Sequence, residues 1–397
     1  MKLEEFSKFN RKTIMTRNKD VEVGLRTDMY TVIEPAEMTF SRYIWWGRSK
    51  TLLLLLFALL YLLTCPNLYA KASDFHFSVE ADVTVRFAEQ GEYVFLNVDS
   101  AGRRTLSYLC WEQKPLFIPE AKVSVGFKNL YLKGNIRAAF PTRCGSVYDS
   151  DWFNVSKVPN CPDEYANIKT HLTESDCKTN YYYGFSGELS YMFKVADSLS
   201  FSPFAELSYT HSSFSAIGAS GSYYNTNVTE ANSYYGSYND ADNSYDIEIG
   251  GDEVLSLERA VLQAWLGGRF NMEITQKLDM GFSLAVNLWT FAQSLDSHLV
   301  TGVYYLDEFE DNFGGIKASL DFAYKLSKKD SLVFAAECTA IQTLEGTAKS
   351  ANHENASYDE YFDCSYWDWK NGRYYKYTSG FDFSSIEFTL GYRHTFN

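Results

Sequence analysis

Two pairs of polar residues are the candidates for acid–base chemistry in this sequence: Asp149 with Asp151, and Asp296 with His298. In an extended strand, side chains two residues apart project from the same face, so each pair would lie side by side. Two neighbouring carboxylates cannot both ionise freely and should hold or share a proton. An imidazole oriented by a carboxylate is a good proton acceptor. Together the pairs could position and deprotonate a water molecule, which is the arrangement of a hydrolase.

An Asp-x-Asp segment on its own does not identify a catalytic pair. It is more often a solvated loop or part of a calcium site than a pair of catalytic acids. The chemical interpretation therefore depends on whether the rest of the chain builds elements that bring the two pairs together.

The N-terminal part of the sequence predicts a cleaved leader. Residues 51–63 form an apolar run that follows several basic residues and precedes Ala70-Lys71-Ala72, a small-residue cleavage signal. At about 13 residues the run is short for a spanning helix and suits the apolar region of a signal peptide. We therefore expect a leader at 1–72, with Met38 as an alternative start, and a single mature domain at 73–397.

The cysteines of the exported chain predict disulfides rather than a metal site. Their spacing fits no zinc motif, and export makes disulfide formation favourable. Cys161 and Cys177 lie in one predicted loop and are the preferred pair, although the connectivity cannot be deduced from sequence. A lipobox ending at Cys65 is a weaker alternative to the signal peptide, because Thr is unusual just before a lipidated Cys.

Composition indicates a membrane surface and excludes a nucleic-acid partner. The 397 residues include 30 Tyr and 29 Phe, an aromatic excess typical of the girdles of membrane barrels. The net charge of −14 disfavours nucleic acid and favours basic partners, and loss of the basic leader would make the chain still more acidic.

The mature chain alternates apolar and polar residues with a period of two, from Phe75 to the last strand ending near Phe396. Segments of this length can cross a bilayer at a tilt, and a sheet in lipid must close on itself. The sequence therefore predicts an all-β fold, a ten-stranded antiparallel transmembrane β-barrel. The predicted strands are 75–96, 103–127, 131–146, 180–194, 199–222, 254–272, 278–295, 305–326, 331–346 and 382–396.

The connections predict which end of the barrel carries the chemistry. Short turns alternate with long connections rich in Tyr, Asn, Ser and Asp at 147–179, 223–253 and 347–381, which we assign to the extracellular side. Both termini then lie in the periplasm. The two polar pairs follow the third and seventh strands at their outer ends, nearly opposite each other across the mouth.

Alternate positions of a barrel strand face the lumen. This alternation places one pair in the lumen directly, and the other only if its strand contains a local irregularity. Asp149 and Asp151 continue the polar, lumen-facing set of the third strand. The seventh strand has apolar residues at its even positions, so a bulge between Trp289 and Asp296 must reset its register. Pro115 predicts a further bulge in the second strand.

These residues resemble the omptin family of outer-membrane proteases over about 75–397. The matching segments are Asp149-Ser150-Asp151-Trp152, then Trp289 seven residues before the Asp296–His298 pair, and Glu92-Tyr93-Val94-Phe95-Leu96 in the first strand. His171 matches a further histidine of the family's active site.

The resemblance implies an endopeptidase whose extracellular groove cuts polypeptides next to basic residues. Asp149 and Asp151 would bind the attacking water, and His298, oriented by Asp296, would take its proton. Glu92 would line the pocket for the basic side chain before the scissile bond, and His171 would lie in the groove. The resemblance implies no metal and no organic cofactor.

Three positions depart from the family pattern. Ser294 stands where omptins usually place a second pocket acid, and Asn167 replaces an acid before the loop histidine. The lipopolysaccharide-binding stretch on the fifth strand reads Tyr209-Thr210-His211-Ser212-Ser213, without the usual Glu and Arg. We therefore expect a looser basic preference and no firm dependence on lipopolysaccharide. The alternative is a non-catalytic barrel that acts as an adhesin or binding protein through its Tyr-rich loops; a passive porin fits less well, because a ten-strand lumen is narrow.

Overall fold

The structure, a computed structural model, describes residues 75–98, 102–154, 163–224, 244–352 and 375–396. The predicted leader at 1–72 and Cys161 lie outside the described residues. Within the described ranges, no helix has both the length and the apolar character needed to cross a membrane.

Thirteen strands and one short 3-10 helix, at Asp163–Asn167, make up the described fold. Every strand pairs antiparallel with its neighbours, and β1 pairs with both β2 and β13, which closes the sheet into a ring. The strands are β1 Phe75–Val98, β2 Gly102–Phe127, β3 Leu130–Ala139, β4 Thr142–Trp152, β5 Lys169–Tyr191, β6 Phe193–Ala196, β7 Leu199–Tyr224, β8 Ser244–Thr275, β9 Leu278–His298, β10 Val303–Asp311, β11 Gly315–Lys325, β12 Asp330–Asn352 and β13 Tyr375–Thr395.

The thirteen strands form ten staves, a stave being one crossing of the barrel wall. Three staves are interrupted once, and each interruption divides one stave into two strands: β3 and β4, β5 and β6, and β10 and β11. The first interruption contains Pro141, which cannot donate a ladder hydrogen bond. The predicted ten-stranded antiparallel barrel is confirmed.

The predicted outer loops were too long, because the strands continue well beyond the segments that show clear alternation. β4 extends to Trp152 and β5 begins at Lys169, so the structure leaves much less than 147–179 outside the sheet. Asp149, Asp151 and His171 consequently lie in paired strands rather than in a loop. This part of the barrel wall needs no apolar outer face. Hydrogen bonds between neighbouring strands hold it together.

The outer surface carries an apolar belt around the lower part of the barrel. It includes exposed residues of five strands, namely Phe87, Phe117, Phe185, Val286 and Ile316. An outward apolar face is what lipid requires of a barrel wall. The two polar pairs lie on the strand segments above this belt.

The lumen below the site is polar and crossed by ion pairs. A cavity of about 650 Å³ is lined by residues of nearly all the staves. Inside it, Glu387 accepts hydrogen bonds from Arg86 at 2.7 Å and Arg137 at 2.9 Å, while Lys317 donates to Glu206 at 2.8 Å. The Arg137–Glu387 and Lys317–Glu206 contacts connect staves that are not neighbours, whereas Arg86–Glu387 connects the paired strands β1 and β13. All three contacts pair charges in the interior.

The bulge predicted at Pro115 is confirmed. Arg86 pairs with Leu116 and Ala88 with Gln113, so one residue of β1 faces two residues of β2. The extra residue removes the need for a ladder donor at the proline.

Two buried thiols lie close together, and they are not the pair favoured by the sequence. The sulfur of Cys177 is 3.7 Å from that of Cys144 on the neighbouring strand β4. Both are free thiols in the structure, as are Cys110 and Cys338. The pairing of Cys161 with Cys177 remains a prediction.

Candidate active site

Asp149 and Asp151 lie on β4 and share their site with His171 of β5. Asp151 and His171 are partners in the strand register, and Nδ1 of the imidazole is 2.9 Å from Oδ2 of Asp151 and 4.0 Å from Oδ2 of Asp149. The other ring nitrogen of His171 is 3.2 Å from the hydroxyl of Thr173. Tyr223 stacks on the imidazole with 3.7 Å between ring centroids. His171 is therefore held firmly against the acid pair.

The two acids differ in how tightly they hold a proton. Burial, together with the neighbouring charge of Asp151, raises the pKa of Asp149 to about 7. Burial acts in the same direction on Asp151, but hydrogen bonds from His171 and Ser107 outweigh it and lower the pKa of Asp151. The pair therefore holds one proton near neutral pH, on Asp149, beside an ionised Asp151.

Asp296 and His298 form the second pair at the outer end of β9. Nε2 of His298 is 2.8 Å from Oδ2 of Asp296. Because a carboxylate can only accept, it holds the proton on Nε2 and leaves Nδ1 as the nitrogen that can take up a proton. Burial alone would lower the pKa of His298, but the charge of Asp296 and its hydrogen bond, reinforced by Asp149 and Asp151, raise it to about 9.

A β-bulge in β9 turns Asp296 and His298 into the lumen. Ala264 of β8 pairs with Trp289 and the next residue, Trp265, pairs with Asn287, so Leu288 is the extra residue. Below the bulge the buried positions of β9 are odd, from 281 to 287, and above it the even positions from 290 to 296 are buried, together with Gln293 and Ser297. The reset of register predicted between Trp289 and Asp296 therefore exists, but it lies at Leu288.

The bulge is held by the side chain of Asn287, which is fully buried. Its amide nitrogen donates to the backbone oxygens of Ala264 at 3.3 Å and Trp289 at 3.2 Å. Its carbonyl oxygen accepts from the hydroxyl of Thr290 at 3.0 Å. These bonds satisfy backbone groups that the interrupted ladder leaves without strand partners.

The two polar pairs face each other across the barrel mouth. β4 and β9 belong to the third and seventh staves, and the negative charges of Asp149 and Asp151 are close enough to raise the pKa of His298. In the other direction, His298 lowers the pKa of both acids, although burial outweighs this effect at Asp149. The expectation that the staves bring the two pairs together is met in the structure.

Glu92 faces the lumen beneath this site, as its parity in β1 predicts. Its two carboxylate oxygens accept hydrogen bonds from Arg259 at 2.5 Å and from the indole of Trp111 at 2.9 Å. The Arg259 guanidinium also donates to Gln90 at 3.1 Å and lies 4.3 Å from the ring centroid of Phe381. Glu92 therefore already has an intramolecular cation.

Ser294 is fully buried on β9, between two charged residues that sequence reasoning missed. It pairs in register with Arg259 of β8 on one side and Asp307 of β10 on the other. The sequence signal that could have identified both residues is a charge at a lumen-facing position. Their proximity to Glu92 depends on the relative stagger of strands that are distant in sequence. The alternation of apolar and polar residues does not give that stagger.

Asp149, Asp151 and His171 are also spaced closely enough to hold a cation. One ligand atom from each lies within 4.8 Å of the others. In the structure the shortest of these contacts is used as a hydrogen bond between Asp151 and His171.

A protease of known structure shares the barrel fold. The crystal structure of the outer membrane protease OmpT from Escherichia coli is similar with a TM-score of 0.62 and 14% sequence identity, covering 81% of this chain and 97% of that chain. The translocator domain of the autotransporter NalP from Neisseria meningitidis matches with a TM-score of 0.28 and 8% identity, over 88% of this chain and 98% of its own. Neisserial surface protein A matches with a TM-score of 0.26 and 10% identity, over 81% and 97%. No curated protein matches the chain. The model of the Omptin family matches residues 73–384, so the chain belongs to the omptin family.

Proposed function

We propose that the protein is an outer-membrane endopeptidase that cleaves polypeptides next to basic residues. In this proposal the site lies at the extracellular mouth of the barrel, and water is activated between Asp149 with Asp151 and Asp296 with His298. Membership of the omptin family supports a protease of the bacterial outer membrane. The observation that carries the chemistry is the facing arrangement of the two pairs, each side altering the pKa of the other.

The proposed reaction needs only a proton relay. Asp149 and Asp151 hold a water molecule, and Nδ1 of His298 takes one of its protons while the oxygen attacks the carbonyl carbon of the peptide. Asp296 stabilises the resulting imidazolium. When the C–N bond breaks, the imidazolium returns the proton to the leaving amine, so the enzyme ends in its starting state.

The proposed substrate class follows from the charge of the mouth. Asp149, Asp151, Asp296 and Asp307 contribute carboxyl groups there, and Arg259 is already paired with Glu92. An acidic cleft concentrates positively charged segments and disfavours nucleic acid. We propose that polypeptides with Lys or Arg before the scissile bond are the substrates.

The experiment is to incubate the refolded barrel with a peptide library and sequence the cut sites. Each reaction is run in detergent with and without lipopolysaccharide, and with and without a metal chelator. Cuts after Lys and Arg that persist with chelator support the proposal. No cleavage in any lipid or detergent would overturn it and favour the adhesin or binding-protein alternative, whereas loss of activity with chelator and recovery with zinc would overturn the mechanism.

A further inference from the structure

The carboxylate of Glu92 is not available to a substrate in this structure. Arg259, which is only 1% exposed, occupies one oxygen at 2.5 Å, and the buried indole of Trp111 occupies the other at 2.9 Å. A substrate cation that took the place of Arg259 would leave a buried guanidinium without its partner, which is strongly unfavourable. A stacking contact with Phe381 further fixes Arg259 in place.

A second carboxylate lies on the other side of Ser294. Asp307 pairs in register with Ser294, two residues below the Tyr305–Asp296 register pair. Two residues along a strand span about 7 Å, so Asp307 lies close beneath the second catalytic pair. Its side chain shares the lumen face with Tyr305, which is half-buried above it.

Asp307 is buried and has no cation of its own. It is 6% exposed, and no Lys or Arg within the described ranges lies within ion-pair distance of it. Burial raises its pKa well above the usual range, Glu92 and Asp296 act in the same direction, and the charge of Arg259 and a hydrogen bond with Ser379 oppose them without reversing the shift. A buried acid without a cation is stabilised in its charged form when a cation binds, because the charge is then paired.

We infer that Asp307, rather than Glu92, is the carboxylate that recognises the basic side chain before the scissile bond. Arg259 stays paired with Glu92. Ser294 lies between this ion pair and Asp307, the carboxylate that can pair with a substrate cation. The inference rests on the proposed endopeptidase function and assigns its specificity to a different strand from the one that sequence reasoning indicates.

The test compares two peptides that differ only before the cut, one with Lys and one with norleucine, the uncharged analogue that lacks the ammonium group. Asp307→Asn should lower the ratio of kcat/KM for the Lys peptide to that for the norleucine peptide by about 10- to 150-fold, the range expected for loss of a charge-assisted contact. Asp307→Glu, which keeps the charge, should retain the preference for Lys.

Glu308→Gln is the matched control. It removes the adjacent carboxylate of the same strand, which faces the other side and bonds to Lys349 and Gln293. It should alter neither peptide selectively. Heat-modifiable gel migration shows for each variant that the barrel has formed.

The outcomes separate this inference from the proposed function. If the wild-type barrel cleaves both peptides and Asp307→Asn leaves their ratio unchanged, the inference is wrong while the endopeptidase proposal stands. If Glu92→Gln removes the Lys preference in a properly formed barrel, Glu92 is the recognition residue and the inference is also overturned. If the wild-type barrel cleaves neither peptide, the proposed endopeptidase function is wrong, and the inference that rests on it is wrong as well.

Discussion

His298 holds its proton more firmly than an ordinary histidine, and this fixes the expected dependence of the reaction on pH. Its pKa of about 9 arises because Asp296, Asp149 and Asp151 favour the imidazolium more than burial disfavours it. A general base must be unprotonated to accept a proton, so the rate should rise with pH up to about 9.

Asp296→Asn tests this assignment. Removing the negative charge destabilises the imidazolium, so the pKa of His298 should fall and the residual activity should persist to lower pH. A pH–rate profile of kcat/KM measures the shift. Asp279→Asn, at the opposite end of the same strand and paired with Lys325, is the control and should leave the profile unchanged. An unshifted profile for Asp296→Asn would mean that another group acts as the base.

The catalytic pairs should each be necessary for cleavage. His298→Ala removes the proton acceptor and Asp149→Ala removes the proton-holding acid, so each should lower the rate by roughly 10²–10⁴-fold. The initial rate of peptide cleavage is measured after barrel formation has been checked by gel migration. His394→Ala, which removes a histidine bonded to Asp330 at 2.8 Å near the other rim, should retain activity. Full activity in His298→Ala would exclude the proposed mechanism.

At the level of the strands, the bulge of β9 decides whether the second pair faces the lumen. Asn287→Ala would leave the backbone oxygens of Ala264 and Trp289 without their buried donor, at a cost of about 1–3 kcal/mol for each unsatisfied group. We expect a lower unfolding midpoint in urea and, because small displacements of catalytic groups are costly, a loss of activity larger than the loss of folded protein.

The control for the bulge is Asn271→Ala, a lumen-lining residue of β8 in the region of the polar cavity. It removes the same side chain without touching the bulge. Equal effects of the two substitutions on activity would show that Asn287 contributes to general stability only.

Sequence alone could predict the ten staves because lipid imposes a strict alternation on every segment that crosses it. Extending the alternation of the third strand upward also placed Asp149 and Asp151 on the lumen face. It could not locate the bulge at Leu288, because one extra residue changes parity without changing composition. Arg259 and Asp307 were missed because contacts between distant staves depend on barrel stagger, and the strand extensions above the belt were missed because they need no apolar face there.

On the scale of the whole molecule, the proposed catalytic residues lie well above the apolar belt. On β9 the belt ends near Val286, and the strand continues to His298. At about 3.3 Å per residue and a tilt near 45°, the site lies roughly 30 Å above the lipid. The β-structure of the wall, rather than its loops alone, provides this height.

Because of that height, a substrate attached to the same membrane can reach the site only if its spacer is long enough. With the mouth on the extracellular side as proposed, a peptide tethered to the lipid by a spacer shorter than about 30 Å could not reach the groove, whereas peptides in solution would enter freely. Barrels reconstituted in liposomes that carry a Lys-containing peptide on spacers of graded length provide the measurement, with the same peptide in solution as control. Cleavage should begin only once the extended spacer exceeds the height of the wall. Equal cleavage at every spacer length would show that the site is accessible from the lipid surface.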